Sequence, residues 1–392
     1  TGAGGGGAED SIARRAVEWQ AHARKRNKEC ERRVFQALAT DSTGASIFVP
    51  RFVAPLPPPP VLGPKPNPLQ LARFVALVPY KEDYEVFAHG EDVWCTASEF
   101  LDLCAGDHEE HALLLCAYLL YSGFKAYVAL GQGVQDPSVA MVITTEGPAG
   151  AVGTDGEPVV WNPITGRAQS VRDNTAELRS VGTIFDGTNV WANVQTKGEP
   201  WTISYELSDA NSWHPFFGPS FPARPHFTAT IQEPLEYPTF PASFYQELTS
   251  FVEREVMDSI SHARKRHYTH FNRRCSRILK DLLLEMEEAQ VGVPPPNRSA
   301  SAAAKTGGAS VADLPAKHAR ALEGLDRSYH ITGFSLNFSY LDPPTLRQRI
   351  NATQIHAHFG EGVEFAVAAH VEPYSSFVAS IWIYLAVLIK KT

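Results

Sequence analysis

Cysteine is scarce in this chain and follows no pattern. Cys30, Cys95, Cys104, Cys116 and Cys275 are scattered over 392 residues, odd in number and without a C-x-x-C spacing. That signals neither a disulfide framework nor a zinc ribbon, and it fits a reducing compartment. Long apolar runs are missing too. The most apolar one, residues 377–389, falls short of the ~20 residues that span a bilayer, and its Val, Ile, Trp and Tyr content reads as a buried strand. Excess positive charge is absent: 35 Lys and Arg stand against 43 Asp and Glu, a net charge of -8. This argues against a general nucleic-acid binder, which needs cations to neutralise phosphates. No apolar segment follows an early basic stretch, so no signal peptide is read. The opening Thr1 and the glycine-rich residues 2–7 predict a flexible end and a chain that starts inside a longer protein.

What is present is an ordinary composition, 44% hydrophobic and 20% charged, enough for two to three domains. Residues 12–38 lack Gly and Pro and interleave Arg with Glu, which predicts a solvated helix. The prolines of 55–68 impose extended backbone, a linker or surface strap, with a domain boundary near Asn67. A strand is expected at 74–78, a helical turn at 98–103 and a helix at 109–121 closed by Gly123. Strands at 124–130, 139–144 and 159–161 follow, punctuated by glycines such as Gly131. Residues 246–288 read as two helices broken near the basic stretch 264–267, and 293–310 as disordered. Strands at 333–338, 364–371 and 380–388, with a short helix after Pro344, close the chain. Because 380–388 is apolar at nearly every position, it is expected to be a central strand covered on both faces. The fold class is α+β. Its layout reads as a helical segment and proline-rich linker (1–67), a main domain (68–240), long helices (241–292), a disordered insert (293–328) and a C-terminal α+β unit (329–392).

Thiol catalysis needs a Cys at a helix N-terminus, where the dipole lowers its pKa, together with a His base and an acid that orients it. The stretch Gly106-Asp-His-Glu-Glu-His-Ala112, its apolar helix and the strand up to Gly131 resemble the helix and first strand of the transglutaminase-like family, related to papain-like cysteine peptidases. The resemblance places the nucleophile position on His108, the base position on Val139 and the acid position on Asn162 in Trp161-Asn-Pro163. No histidine lies between His111 and His214. The resemblance therefore implies an inactive transglutaminase-like domain with a helical and α+β extension, a degenerate enzyme with no cofactor and no metal.

Further signatures are Asp92-Val-Trp-Cys-Thr-Ala-Ser-Glu-Phe100, Asn189-Val-Trp-Ala-Asn193, Trp213-His-Pro-Phe-Phe217, Arg266-His267 with Asn272-Arg273, and Ile381-Trp-Ile-Tyr384. In this order they resemble the coiled-coil and C2-domain proteins of the ciliary transition zone, with the seventy-six-kilodalton centrosomal protein as the paralogous alternative. The likeness runs over about residues 69–389. It implies a non-catalytic scaffold or binding module at the transition zone or basal body, on the cytoplasmic side. The implied partners are B9-domain and tectonic-type transition-zone proteins and peptide tails such as those of tubulin, with no nucleic acid and no membrane span.

Other readings compete for some residues. His108 and His111 share a helix face and could seed a metal site, but no third ligand is evident. Cys95 or Cys104 could serve as the nucleophile of an active cysteine peptidase or transglutaminase; without a His and acid at strand spacing each reads as a small core residue. Arg264, Lys265, Arg266, Arg273, Arg274 and Arg277 form a basic run that is either a solvated face or a face for an acidic partner. Trp191, Trp201 and Trp213 read as core or as the wall of a peptide cleft.

Overall fold

The computed structural model describes residues 5–87, 92–134, 136–148, 156–175, 177–290, 322–339, 342–375 and 377–391. They belong to two compact units, 1–237 and 238–392. The segment 293–310, read as disordered, lies outside the described residues.

The first unit contains α1 (Gly5–Arg24), α2 (Pro68–Ala76), α3 (Asp83–Val86), α4 (Ala97–Leu103) and α5 (His108–Tyr121). Strands β1 (Leu38–Asp41), β2 (Ser46–Phe48) and β3 (Val93–Trp94) form a small sheet in the order β2-β1-β3. The main sheet comprises β4 (Lys125–Gln132), β5 (Val139–Glu146), β6 (Val159–Asn162), β7 (Arg167–Ser170), β8 (Ser180–Phe185), β9 (Val190–Asn193) and β10 (Trp213–Pro215). Its order is β10-β9-β8-β4-β5-β6-β7 and every pairing is antiparallel.

Helix α5 organises this unit. A capping box starts it: the Asp107 carboxylate accepts the Glu109 N–H, and Glu110 returns a carboxylate to the Asp107 N–H. Every residue from Glu110 to Leu119 is buried, so the helix is apolar all round because it is enclosed on all sides. The main sheet packs on one side and α2 on another. The proline-rich strap crosses it, with the Leu56 N–H donating to the Ala117 carbonyl at 3.3 Å. Gly123 ends it at a φ of 85°, the left-handed conformation that spares a glycine a Cβ clash.

Four expectations change here. Residues 74–76 end a helix, α2, and Leu77 and Val78 form the turn after it; none of the five is in a strand. Asn67 caps that helix, Gln70 completes the box and Pro68 holds the first turn, and these start signals outweigh the local β propensity. Asn67 is thus a cap inside the first unit, not a boundary between units. The solvated helix expected over 12–38 stops at Arg24, and Trp19 on it is fully buried, its indole N–H donating to the His214 carbonyl at 3.0 Å. Gly131 does not punctuate: β4 runs through it. A Cβ there would lie 1.9 Å from the Ser180 carbonyl oxygen, so glycine permits the close approach of β8 at a register shift.

The second unit contains α6 (Ala242–Ala263), β11 (His270–Phe271), α7 (Arg273–Gln290), β12 (Tyr329–Phe338), α8 (Pro343–Ala352), β13 (Val363–Ser375) and β14 (Val378–Lys390). The sheet order is β11-β13-β14-β12, with β11 parallel to β13 and the rest antiparallel. β14 is central. Its odd-numbered Ile381, Ile383, Leu385 and Val387 pack with Val252, Val256 and Ile260 of α6 and Leu346 and Ile350 of α8. Its even-numbered Trp382, Tyr384, Ala386 and Leu388 pack with Cys275, Leu279, Leu282 and Leu283 of α7. The two helices read in 246–288 therefore split, one to each face of the sheet.

Candidate functional site

Where α5 begins, a cleft of about 330 Å³ opens between Tyr80, the loop leading to α3, and the residues just before β5. Glu82, Asp83, Asp92, Asp107, Glu109 and Asp136 line it, and His108 is the one imidazole; no Lys, Arg or Cys is among its described lining residues. The Tyr80 hydroxyl donates to Glu82 Oε1 at 2.8 Å and lies 3.2 Å from His108 Nδ1. Since a hydroxyl carries one proton, the imidazole is the donor in that second contact. Ser138 also lines the cleft.

So many carboxylates in a partly enclosed space disfavour one another's ionisation. Burial, reinforced by Asp107, Asp92 and Glu82, raises Asp83 to about 6, although the Val93 N–H donates to it. Burial also pushes up Asp92, Glu109 and Glu110, in each case helped by Asp107. An acid whose pKa rises on folding binds its proton more tightly when folded. Its stability cost therefore sets in as pH climbs from the unfolded value through about 6, and it is fully present at neutrality. Asp83→Asn, which keeps an acceptor for Val93, is expected to stabilise the protein by about 1 kcal/mol at pH 7.5, after allowance for solvent screening. At pH 4.5, low in that window, the gain should fall to about a third, and it should vanish only below the ordinary carboxylate value. Thermal melts of both proteins at the two pH values check this, and an equal gain at both would refute the electrostatic account.

Oxygens of Asp83, Asp107 and Glu110 lie within 4.8 Å of one another, the one grouping of metal-ligand type among the described residues. Backbone donors account for it: Val93 for Asp83, Glu109 for Asp107, and Cys95 and Asp107 for Glu110. The His108 and His111 pair does not join it. His111 is fully buried, its ring nitrogens 2.6 Å and 3.0 Å from the carbonyls of Asp107 and Val78.

Of the three positions mapped for catalysis, only His108 lines the cleft. Val139 is fully buried with Met141, Ile143 and Val160. No α5 residue belongs to that cluster, so Val139 faces away from the helix. Ser138, just before β5, lines the cleft where Val139 does not. Asn162 builds a turn. Its Oδ1 accepts the N–H groups of Ile164 and Thr165 at 2.9 Å, and its amide donates to Glu177 Oε2 at 2.6 Å.

The alternative thiols fare no better. Cys95 is buried, and burial together with Glu110 pushes its thiol far up, away from a thiolate. Cys104 is half-buried with its sulfur 3.1 Å from the Leu101 carbonyl, and Cys116 is core. Trp213 is fully buried and Trp191 packs at the edge of the same cluster, while Trp201 borders a separate groove.

On the second unit, Lys265, Arg266, Arg273, Arg274 and Arg277 are exposed. Arg264 is not: it is 4% exposed, donates to the carbonyls of His356 and His358, and stacks over Phe365 and Phe359 at 4.7 and 4.9 Å. It is an internal clamp and leaves the basic face. The acidic cleft itself was not anticipated, because Asp83, Asp92, Asp107 and Asp136 sit in separate segments whose convergence no spacing announces.

Comparison with known proteins agrees with this division. Residues 92–216 match the CEP76 peptidase-like domain, and residues 242–390 match the C-terminal domain of the centrosomal protein of 76 kDa. Human protein CC2D2B is 30% identical over 82% of this chain, and Drosophila melanogaster coiled-coil and C2 domain-containing protein 2A is 26% identical over 90%. The chain spans a fifth to a quarter of the length of these two relatives. The human centrosomal protein of 76 kDa is 28% identical over 47% of this chain and 28% of its own length. No helix among the described residues is long and apolar enough to cross a membrane. The chain is homologous to the coiled-coil and C2 domain-containing proteins and to the centrosomal protein of 76 kDa, sharing the latter's peptidase-like and C-terminal domains.

Proposed function

We propose that this chain is a non-catalytic interaction module of an assembly at the ciliary transition zone or basal body, built on an inactive transglutaminase-like scaffold. The observation that carries the reading is the cleft at the start of α5, where the first helical residue is His108 and no thiol is among the described lining residues. An imidazole there cannot form the thioester that a thiolate nucleophile forms.

The partners proposed are B9-domain and tectonic-type transition-zone proteins and acidic peptides such as tubulin tails. Charge decides where an acidic peptide would dock. The six cleft carboxylates repel a glutamate-rich tail, so that ligand belongs on the exposed basic face of Lys265, Arg266, Arg273, Arg274 and Arg277. Arg273 and Arg274 occupy the first turn of α7, which carries no acid. The helix dipole disfavours cations at that end, so folding gains little from them.

The test is titration of a glutamate-rich tubulin-tail peptide, read by fluorescence anisotropy at low and high salt. Affinity is expected to fall steeply with salt and by about tenfold in Arg273→Glu/Arg274→Glu, a change that suits the helix end and leaves folding intact. Equal binding by both proteins would remove the basic face from the reading, and turnover of an amine donor or peptide substrate would overturn the non-catalytic one.

A further inference from the structure

Sheet edges in this protein are short, with one exception. β2, β3, β7, β10 and β11 have two to four residues each, and β10 carries Pro215. Such brevity is how natural sheets avoid pairing with other chains. β12 is the outer strand of its sheet and has ten residues, Tyr-His-Ile-Thr-Gly-Phe-Ser-Leu-Asn-Phe, with no Lys, Arg, Asp, Glu or Pro. None of the ten is buried, whereas β14 beside it and β13 beyond are mostly buried. Phe334, at the middle, is 40% exposed. Among the described residues its one neighbouring strand is β14. A long edge free of charged residues and proline, with five large apolar side chains among its ten residues, is a template for another strand.

We infer that β12 pairs antiparallel with β12 of a second copy of this chain, joining two four-stranded sheets across a two-fold axis at Phe334. A two-fold perpendicular to the sheet leaves each side chain on its own face, so residues of equal parity oppose one another. With Phe334 on the axis, the two phenyl rings meet, Thr332 meets Leu336 and His330 meets Phe338, contacts of the aromatic and β-branched type that stabilise strand pairs. The ends agree in charge. Exposed Arg327 precedes β12 and Asp342 follows it, and antiparallel pairing brings the Arg327 end of one copy to the Asp342 end of the other. A neutral edge offers nothing to a charged partner strand, whereas its own copy matches it in length, polarity and end charges. This inference does not depend on the proposed ciliary role.

The test compares the 392-residue chain with Phe334→Lys by sedimentation velocity over a micromolar concentration series, with amide hydrogen exchange at both ends of the series. The natural chain is expected to dimerise with rising concentration, and the β12 amides to gain protection only in the dimer. Phe334→Lys sets two like charges face to face and should weaken dimerisation by at least about tenfold with an unchanged melting curve. Mixing Phe334→Lys with Phe334→Glu should restore a dimer, which a folding defect would not. A natural chain that stays monomeric, a dimer indifferent to Phe334→Lys, or β12 amides already protected in the monomer would each overturn the inference.

Discussion

A chain ending at Phe377 is expected to lose the folded second unit and to aggregate. What it lacks is β14, which is not a tail but the axis of the sheet. β14 pairs with β12 from Phe338–Ile381 to Tyr329–Lys390, and with β13 along nearly its whole length. Eleven of its thirteen residues are buried. Removing them strips one wall from the cluster that α6 and α8 cover and one from the cluster that α7 covers. Burying one large apolar side chain is worth ~1.5–3 kcal/mol, and a whole domain is stable by only ~5–15 kcal/mol. The loss of Ile381, Trp382, Ile383 and Leu385 alone therefore reaches the size of the domain's whole stability. β12 would also lose β14, its one strand neighbour among the described residues, and leave two open edges. Size-exclusion chromatography and thermal melting measure this directly. A shortened chain that remains monomeric and melts with the full one would show that β14 is dispensable.

The reading of that strand succeeded because the local pattern and the tertiary environment agree: an unbroken apolar run is tolerated only where both faces are covered. The same agreement made α5 legible, since Asp107 and Glu110 announce its start and Gly123 its end. Failures came where short-range signals conflicted or where long-range geometry decides. At 74–78 the cap at Asn67 won over β propensity. In 12–38, charge density concealed Trp19, which is buried against chain nearly two hundred residues away, at His214. Arg264 looked like part of a basic run, yet its guanidinium finds carbonyls near residue 357 and two aromatic rings. The acidic cleft and the carboxylate of Glu287 were invisible for the same reason: each is assembled from segments far apart in the chain.

Glu287 is expected to be among the costliest single polar side chains to remove from the second unit. It sits near the end of α7, is 3% exposed and accepts hydrogen bonds from the Tyr374 hydroxyl, the Trp382 indole N–H and the Ser380 hydroxyl, the last at 2.6 Å. Those donors lie on β13 and β14, so one carboxylate ties a helix to two strands. A lone buried carboxylate would be costly, and here the donors offset its desolvation. Glu287→Ala removes the acceptor that the Tyr374 and Ser380 hydroxyls and the Trp382 indole N–H share. The expected loss is roughly 3–5 kcal/mol, in the range seen when one side of a buried polar network is deleted. Glu287→Gln keeps the shape and one acceptor oxygen but points an amide at a donor, and should cost less, roughly 1–3 kcal/mol. A double-mutant cycle separates this network from simple cavity formation. In the Glu287→Ala background Trp382→Phe should cost distinctly less than in the natural chain, because the indole N–H has already lost its partner. Urea midpoints of the four proteins supply the cycle. Additive losses would mean that Glu287 and Trp382 act independently, and that packing of α7 alone accounts for the effect.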